Sequence, residues 1–212
     1  MPISIEKKLI FVRIPNESDA AVNSILDLED QSHHGVSYYL DNYQGAFSKT
    51  KKVCVIRNPW DRLAYFFEQV KQNPEALDHD KLVDSTFEEF VEDFEKNRDS
   101  YQNVCWLPQT AWIWSDYGPI VNHIFVEDPE YLETPQLTTL ETQFKMLLKM
   151  EVEIPEIDRE AALERRKAYY TPELVERVSK LFSHEIQAFS YHYDPLSQEE
   201  EPVVVSTKPQ EE

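Results

Sequence analysis

Short unbroken apolar runs alternate along the chain with longer segments whose apolar residues recur every three or four positions. That alternation predicts an α/β chain in which strands and helices follow one another. Leu9-Ile10-Phe11-Val12 is continuous rather than alternating, the pattern of a strand covered on both faces, and Pro15 closes a strand over Leu9–Ile14. Val53-Cys54-Val55-Ile56 repeats the pattern and predicts a strand over Lys52–Ile56. A third strand is expected over Val121–Val126, after a turn at Gly118-Pro119.

The helical segments carry their own punctuation. Asp19 is placed to cap a helix with Val22, Ile25 and Leu26 on one face. Pro59 suits the first turn of a helix whose Leu63, Phe66, Phe67 and Val70 share a stripe, and Pro74 ends it. Ser85 or Thr86 caps a segment striped with Phe87, Phe90, Val91 and Phe94. Helices are also expected after Pro108 within Trp106–Trp114, and over Thr138–Met150. Thr171-Pro172-Glu173 opens a closing helix that buries Val175, Val178, Leu181, Phe182, Ile186 and Phe189. From Pro195 the chain is rich in Glu, Ser and Pro, so the organisation reads as one domain over residues 1–194 and a disordered acidic tail over 195–212.

At 212 residues there is enough chain for one full core and too little for two. The net charge of −19 argues against nucleic acid or an anionic membrane as a partner, because both need clustered Lys and Arg. It is in keeping with a solvated acidic surface, and it requires that any site for an anion be locally basic. No stretch approaches the ~20 apolar residues of a membrane span, and the N-terminus has no signal-peptide core, so a cytoplasmic protein is expected. Cys54 and Cys105 are too few for a disulfide framework and have no neighbouring ligands for zinc; reduced thiols and no metal are expected.

Two strand–turn–helix junctions carry candidate chemistry: Phe11 to Ala21, and Val55-Ile56-Arg57-Asn58-Pro59-Trp60-Asp61-Arg62-Leu63. With the ending from Tyr169-Tyr170-Thr171-Pro172-Glu173 to Tyr191, they resemble the carbohydrate-type sulfotransferase family over about Leu9 to Tyr193. The most specific part is Arg57-Asn58-Pro59-Trp60-Asp61-Arg62-Leu63, which matches that family's 3′-phosphate motif; Pro108-Gln109 agrees in order. The resemblance implies a P-loop-like three-layer sandwich with a central, mainly parallel sheet flanked by helices. It also implies sulfuryl transfer from 3′-phosphoadenosine-5′-phosphosulfate to a hydroxyl on a carbohydrate or small molecule, with no metal.

On that resemblance Arg57 holds the 3′-phosphate, since a guanidinium forks onto two oxygens; the alternative is a structural pair with Asp61. Arg62 and Trp60 read as structural. His33 and His34, in Ser32-His33-His34-Gly35-Val36-Ser37, are the candidate bases, His34 preferred; the alternative is a pair of surface histidines. The family's Pro-Lys-Thr-Gly-Gly-Thr-Ser loop corresponds here to Pro15-Asn16-Glu17-Ser18-Asp19-Ala20-Ala21. Asn16 replaces the lysine, both glycines are gone, and Glu17 and Asp19 add charge of the wrong sign. Tyr65 stands where a serine is usual. Replacement cations are expected from Arg13, or from Arg165, Arg166 and Lys167, whose alternative is an exposed basic helix face. The departures leave a second reading open, a catalytically inactive sulfotransferase-fold binding protein. A third reading, a P-loop kinase, is weak, because the chain has no Gly-rich loop ending in Lys-Ser/Thr.

Overall fold

The computed structural model describes residues 3–4, 6–28, 32–115, 118–128, 139–154 and 158–193. Strands β1 (Ile3–Ser4), β2 (Leu9–Phe11), β3 (Lys51–Ile56) and β6 (His123–Val126) form one sheet in the order β1-β2-β3-β6. β2, β3 and β6 run parallel, and β1 adds an antiparallel edge through Ile3↔Ile10. A separate hairpin pairs β4 (Trp114–Ser115) with β5 (Gly118–Pro119). Gly118-Pro119 is thus strand rather than the expected turn.

All three predicted strands are present. The first is shorter than Leu9–Ile14, because after Val12 donates to Val53 O at 2.8 Å the chain leaves the ladder and Ile14 N–H turns back to Val12 O. The continuous runs have the reason expected of them. Ile10, Val12, Cys54 and Ile56 enter one core, while Leu9, Phe11, Val53 and Val55 enter a second core on the opposite face. Helices cover both faces. α1 (Asp19–Ile25) and α8 (Leu140–Leu148) supply Val22, Leu140 and Phe144 to the second core.

The first core is larger. It takes α2 (Val36–Asn42), α3 (Gln44–Phe47), α4 (Pro59–Gln72), α5 (His79–Leu82), α6 (Phe87–Asn97) and α7 (Thr110–Ile113). α9 (Arg159–Tyr169) packs on α4, and α10 (Pro172–Leu181) on α4 and α6. The closing helix breaks at Phe182, so a separate α11 (Ser183–Phe189) follows. Phe67, Phe87, Phe90 and Phe94 interlock at ring separations of 5.3–6.0 Å, which explains the aromatic stripe. α2, α3 and α5 lie where no helical period was read. No helix among the described residues is long and apolar enough to cross a membrane. The tail over 195–212 and Thr138 lie outside the described residues.

Candidate functional site

The two junctions meet at the carboxyl ends of β2 and β3, where open parallel sheets place ligands. In the second, Arg57-Asn58-Pro59 builds its own helix start. Asn58 Oδ1 accepts from Trp60 N–H at 3.0 Å and Asp61 N–H at 3.3 Å, and Pro59 occupies the first helical position. Gln109 clamps Arg57 from the side: its Oε1 accepts from Arg57 N–H at 2.8 Å, and its Nε2 donates to Arg57 O at 2.7 Å. Glu185 in turn accepts from Gln109 N–H at 2.5 Å.

The Arg57 side chain is wholly buried among carboxylates. Nε donates to Asp61 Oδ2 at 2.7 Å, Nη2 lies against the same oxygen, Nη1 is 2.7 Å from Glu17 Oε2, and Glu127 Oε2 is 3.6 Å from Nε. Burial opposes the charge, but Asp61, Glu127 and Glu17 outweigh it and raise its pKa. The close contacts at Nη1 and Nη2 are charge pairs that miss hydrogen-bond alignment. The pairing with Asp61 anticipated from sequence is present. Arg165 joins it, donating to Asp61 Oδ1 at 3.0 Å and Glu68 Oε2 at 2.8 Å. The Tyr65 ring lies about equally far from both guanidiniums, 5.0 Å from Arg57 and 5.1 Å from Arg165. Tyr65 therefore offers these cations its π-face.

The first loop is held from within. Asn16 Nδ2 donates to Val55 O at 3.1 Å, turning the residue at the lysine position into the sheet. Ser18 N–H donates to Glu127 Oε1 at 2.5 Å, so a loop amide already holds a carboxylate. Pro15 O accepts from Arg62 Nε at 3.0 Å, and Arg62 Nη1 reaches Leu107 O, which gives that arginine its structural role. Arg13 Nε donates to both oxygens of Asp19, at 2.7 and 2.8 Å, while its buried Nη1 has no hydrogen bond among the described residues. Asp19 is therefore not the helix cap: Ser18 holds that position, and the Asp19 carboxylate serves Arg13. Burial raises the Asp19 pKa against the pull of Arg13. Ala20 and Ala21 lie on α1, exposed and half-buried, and bring no polar group.

Of the two histidines, the structure brings His33 to this loop. Its Nδ1 is 3.1 Å from Arg13 O, and its Nε2 is 3.9 Å from Asp19 Oδ2. A carbonyl only accepts, so Nδ1 carries the proton and Nε2 of the neutral ring keeps its lone pair. His33 lines an open cavity of about 280 Å³ with Pro15, Phe66, Gln69 and Asn103. His34, preferred from sequence, stacks on Tyr38 at 3.7 Å between centroids instead. The basic cluster also departs from an exposed helix face. Arg166 is fully buried and Arg165 nearly so, and only Lys167 is exposed.

Sequence reasoning missed Glu127, Asp128 and Glu185, and noted Gln109 only as part of the resemblance, without a role. Asp128 accepts from Asn58 N–H with both oxygens, at 3.0 and 2.8 Å, and from Tyr191 Oη at 3.1 Å. Burial raises the pKa of Glu127 above the usual carboxylate value and pushes that of Asp128 well above it. The signal was available: Glu127-Asp128 directly follows the third apolar run, at the same strand ends as Arg57. Among the described residues no group of three or more His, Cys, Asp or Glu could hold a metal ion. Comparison with protein-family models, with curated proteins and with solved structures finds no match. Functional inference therefore rests on the residues themselves.

Proposed function

We propose that this chain is a divergent sulfotransferase of the carbohydrate type, with the P-loop-like three-layer fold of that family. It would move a sulfuryl group from 3′-phosphoadenosine-5′-phosphosulfate to a hydroxyl of a carbohydrate or small molecule. The observation that carries this reading is a pair of buried guanidiniums, Arg13 and Arg57, beside the first loop: Arg13 Nη1 has no hydrogen-bond partner among the described residues, and Arg57 Nη1 is paired with the partly exposed carboxylate of Glu17. A buried donor without an acceptor is costly and rare, and an anionic ligand would satisfy Arg13 and take the place of Glu17 on Arg57.

The donor supplies a sulfuryl group on a good leaving phosphate; the chain has to bind, orient and deprotonate. Arg57 would take the 3′-phosphate through Nη1 once Glu17 swings aside. Glu17 is the one carboxylate of the three around Arg57 with a partly exposed side chain, 32% against 2% for Asp61 and 0% for Glu127. Arg13 Nη1 would face the sulfuryl end in place of the missing lysine, and the Nε2 of His33 would receive the acceptor's proton. Asn16 does not fit the role of its lysine counterpart, because its amide is committed to Val55 O.

A second reading, a non-catalytic binding protein on the same fold, is favoured by the Ser18 amide, which a carboxylate of the chain already occupies. Turnover separates the two. Labelled donor screened against glycans and small alcohols should yield a sulfated product, and His33→Ala should lower its kcat by about 10²–10⁴-fold while His34→Ala changes it little. Full turnover in His33→Ala removes the base assignment, and no product with any acceptor favours the second reading.

A further inference from the structure

At the opposite end of the sheet, where β2 and β3 begin, a cleft of about 780 Å³ is lined by Lys7, Lys8, Lys49, Lys51 and Lys52, with Glu6 as the only acidic lining residue among the described residues. Five of the chain's 21 lysines and arginines thus face one concavity on a molecule of net charge −19. Two of them are spent internally. Lys7 Nζ donates to Ile25 O at 3.2 Å, and Lys52 Nζ donates to Phe47 O and Thr50 O at 3.1 Å each. Among the described residues, Lys8, Lys49 and Lys51 have no carboxylate partner, although 40 acids are distributed over the chain.

The backbone fixes these cations side by side. Parallel pairing sets Leu9 against Lys51, and Lys8 O accepts from Lys51 N–H at 3.0 Å. Lys8 is held in the left-handed region at φ 51°, a conformation that costs a non-glycine residue about 1 kcal/mol or more and that gathers at functional sites. Asn122 locks the neighbouring strand, accepting from Lys52 N–H and donating to Lys52 O at 2.8 Å each. One wall is apolar, formed by Leu147, Leu148 and the exposed Met150.

We infer that this cleft binds a small molecule carrying two or more phosphates joined to an apolar group. Phosphates concentrate the most charge per group opposite three ammonium ions, and the leucine and methionine wall gives the remainder of the ligand a surface. The volume lies within the roughly 300–1,000 Å³ of small-molecule sites. A nucleic acid would feel the repulsive field of the whole chain. A small ligand is screened from all but the local lysines beyond about 8 Å. The site is separate from the Arg13–Arg57 junction, which lies at the other ends of the same strands.

The test is amide NMR of the full chain titrated with ATP and, separately, with tripolyphosphate. ATP should shift residues 6–9, 48–52 and 147–150 saturably with a Kd below about 1 mM, and tripolyphosphate should bind at least about tenfold more weakly because it leaves the apolar wall bare. Lys49→Gln/Lys51→Gln, at exposed positions whose ammonium groups have no carboxylate partner among the described residues, should weaken ATP at least about tenfold. No saturable shift, equal affinity for tripolyphosphate, or unchanged binding in the double variant overturns the proposal. Shifts confined to Arg13–Asp19 and Arg57 also overturn it, and assign ATP to the other junction.

Discussion

Arg57 shows how one residue can serve stability and function with the same charge. Its guanidinium is ringed by Asp61, Glu127 and Glu17, and removing it would leave buried carboxylates without a counter-charge. Breaking a buried ion pair from one side typically costs about 3–5 kcal/mol. Arg57→Ala should therefore lower the urea-unfolding free energy by that order, whereas a loss under about 1 kcal/mol would mean that the cluster is neutralised by protonation. At this scale the sequence was informative about identity and less so about environment. Arg57, Arg13 and His33 were singled out by the family resemblance, and all three lie against the first loop. What converges on them was not legible, because Glu127 is 109 residues from Ser18 and Glu185 is 76 from Gln109, and no local period encodes such pairings. The position of His34 was not legible for a similar reason: it is set by stacking on Tyr38 at the start of a helix that no apolar period announced.

Most elements with strong punctuation matched their expected places, although α9, capped by Asp158 accepting from Ala161 N–H at 3.0 Å, was not read from that cap. Thr86 caps α6 in a reciprocal box, its Oγ1 accepting from Glu89 N–H at 3.2 Å while Glu89 Oε2 accepts from Thr86 N–H at 2.8 Å. Thr171 and Pro172 open α10 in the same legible way. By contrast α2 and α3 are short and polar on their outer faces, so tertiary packing of Tyr39 and Phe47 decides them rather than periodicity. The break at Phe182 was equally invisible, since the buried residues continue at helical spacing across it. The Thr86 cap gives an element-level prediction. Thr86→Ala should cost about 1 kcal/mol in a denaturant melt, and a loss beyond about 3 kcal/mol would show that α6 depends on its cap more than on its phenylalanines.

For the whole molecule, the buried acids set how stability responds to pH. Burial raises the pKa values of Glu127, Asp128 and Glu185 above their ordinary 4.5, 3.8 and 4.5. The folded state then binds protons that the unfolded chain has released, so this contribution is complete below the ordinary carboxylate range and is lost as pH rises through the raised values. Glu89 and Glu141, lowered by hydrogen bonds, act oppositely and lose their contribution only below about pH 4.5. Thermal melts should give a higher Tm near about pH 5.5 than near about pH 8, and Glu127→Gln should flatten the dependence. A Tm that climbs steadily toward about pH 8 would contradict the buried, raised carboxylates. Shedding part of a −19 charge acts in the same direction, so the flattening in the variant is the decisive readout.

Glu17 joins the three scales, since one partly exposed carboxylate closes the loop over the cation on which the proposed activity depends. Two unit charges at about 4 Å interact by roughly 4 kcal/mol at an effective dielectric of 20, and solvent screening of a side chain one-third exposed reduces that. Calorimetric titration with 3′,5′-adenosine bisphosphate, comparing the unaltered chain with Glu17→Ala, tests the donor site without any acceptor. A plugged site predicts saturable binding to both proteins, at least about tenfold tighter in the variant. Saturable heat from neither protein would contradict it and leave the junction a closed cluster of the chain's own charges.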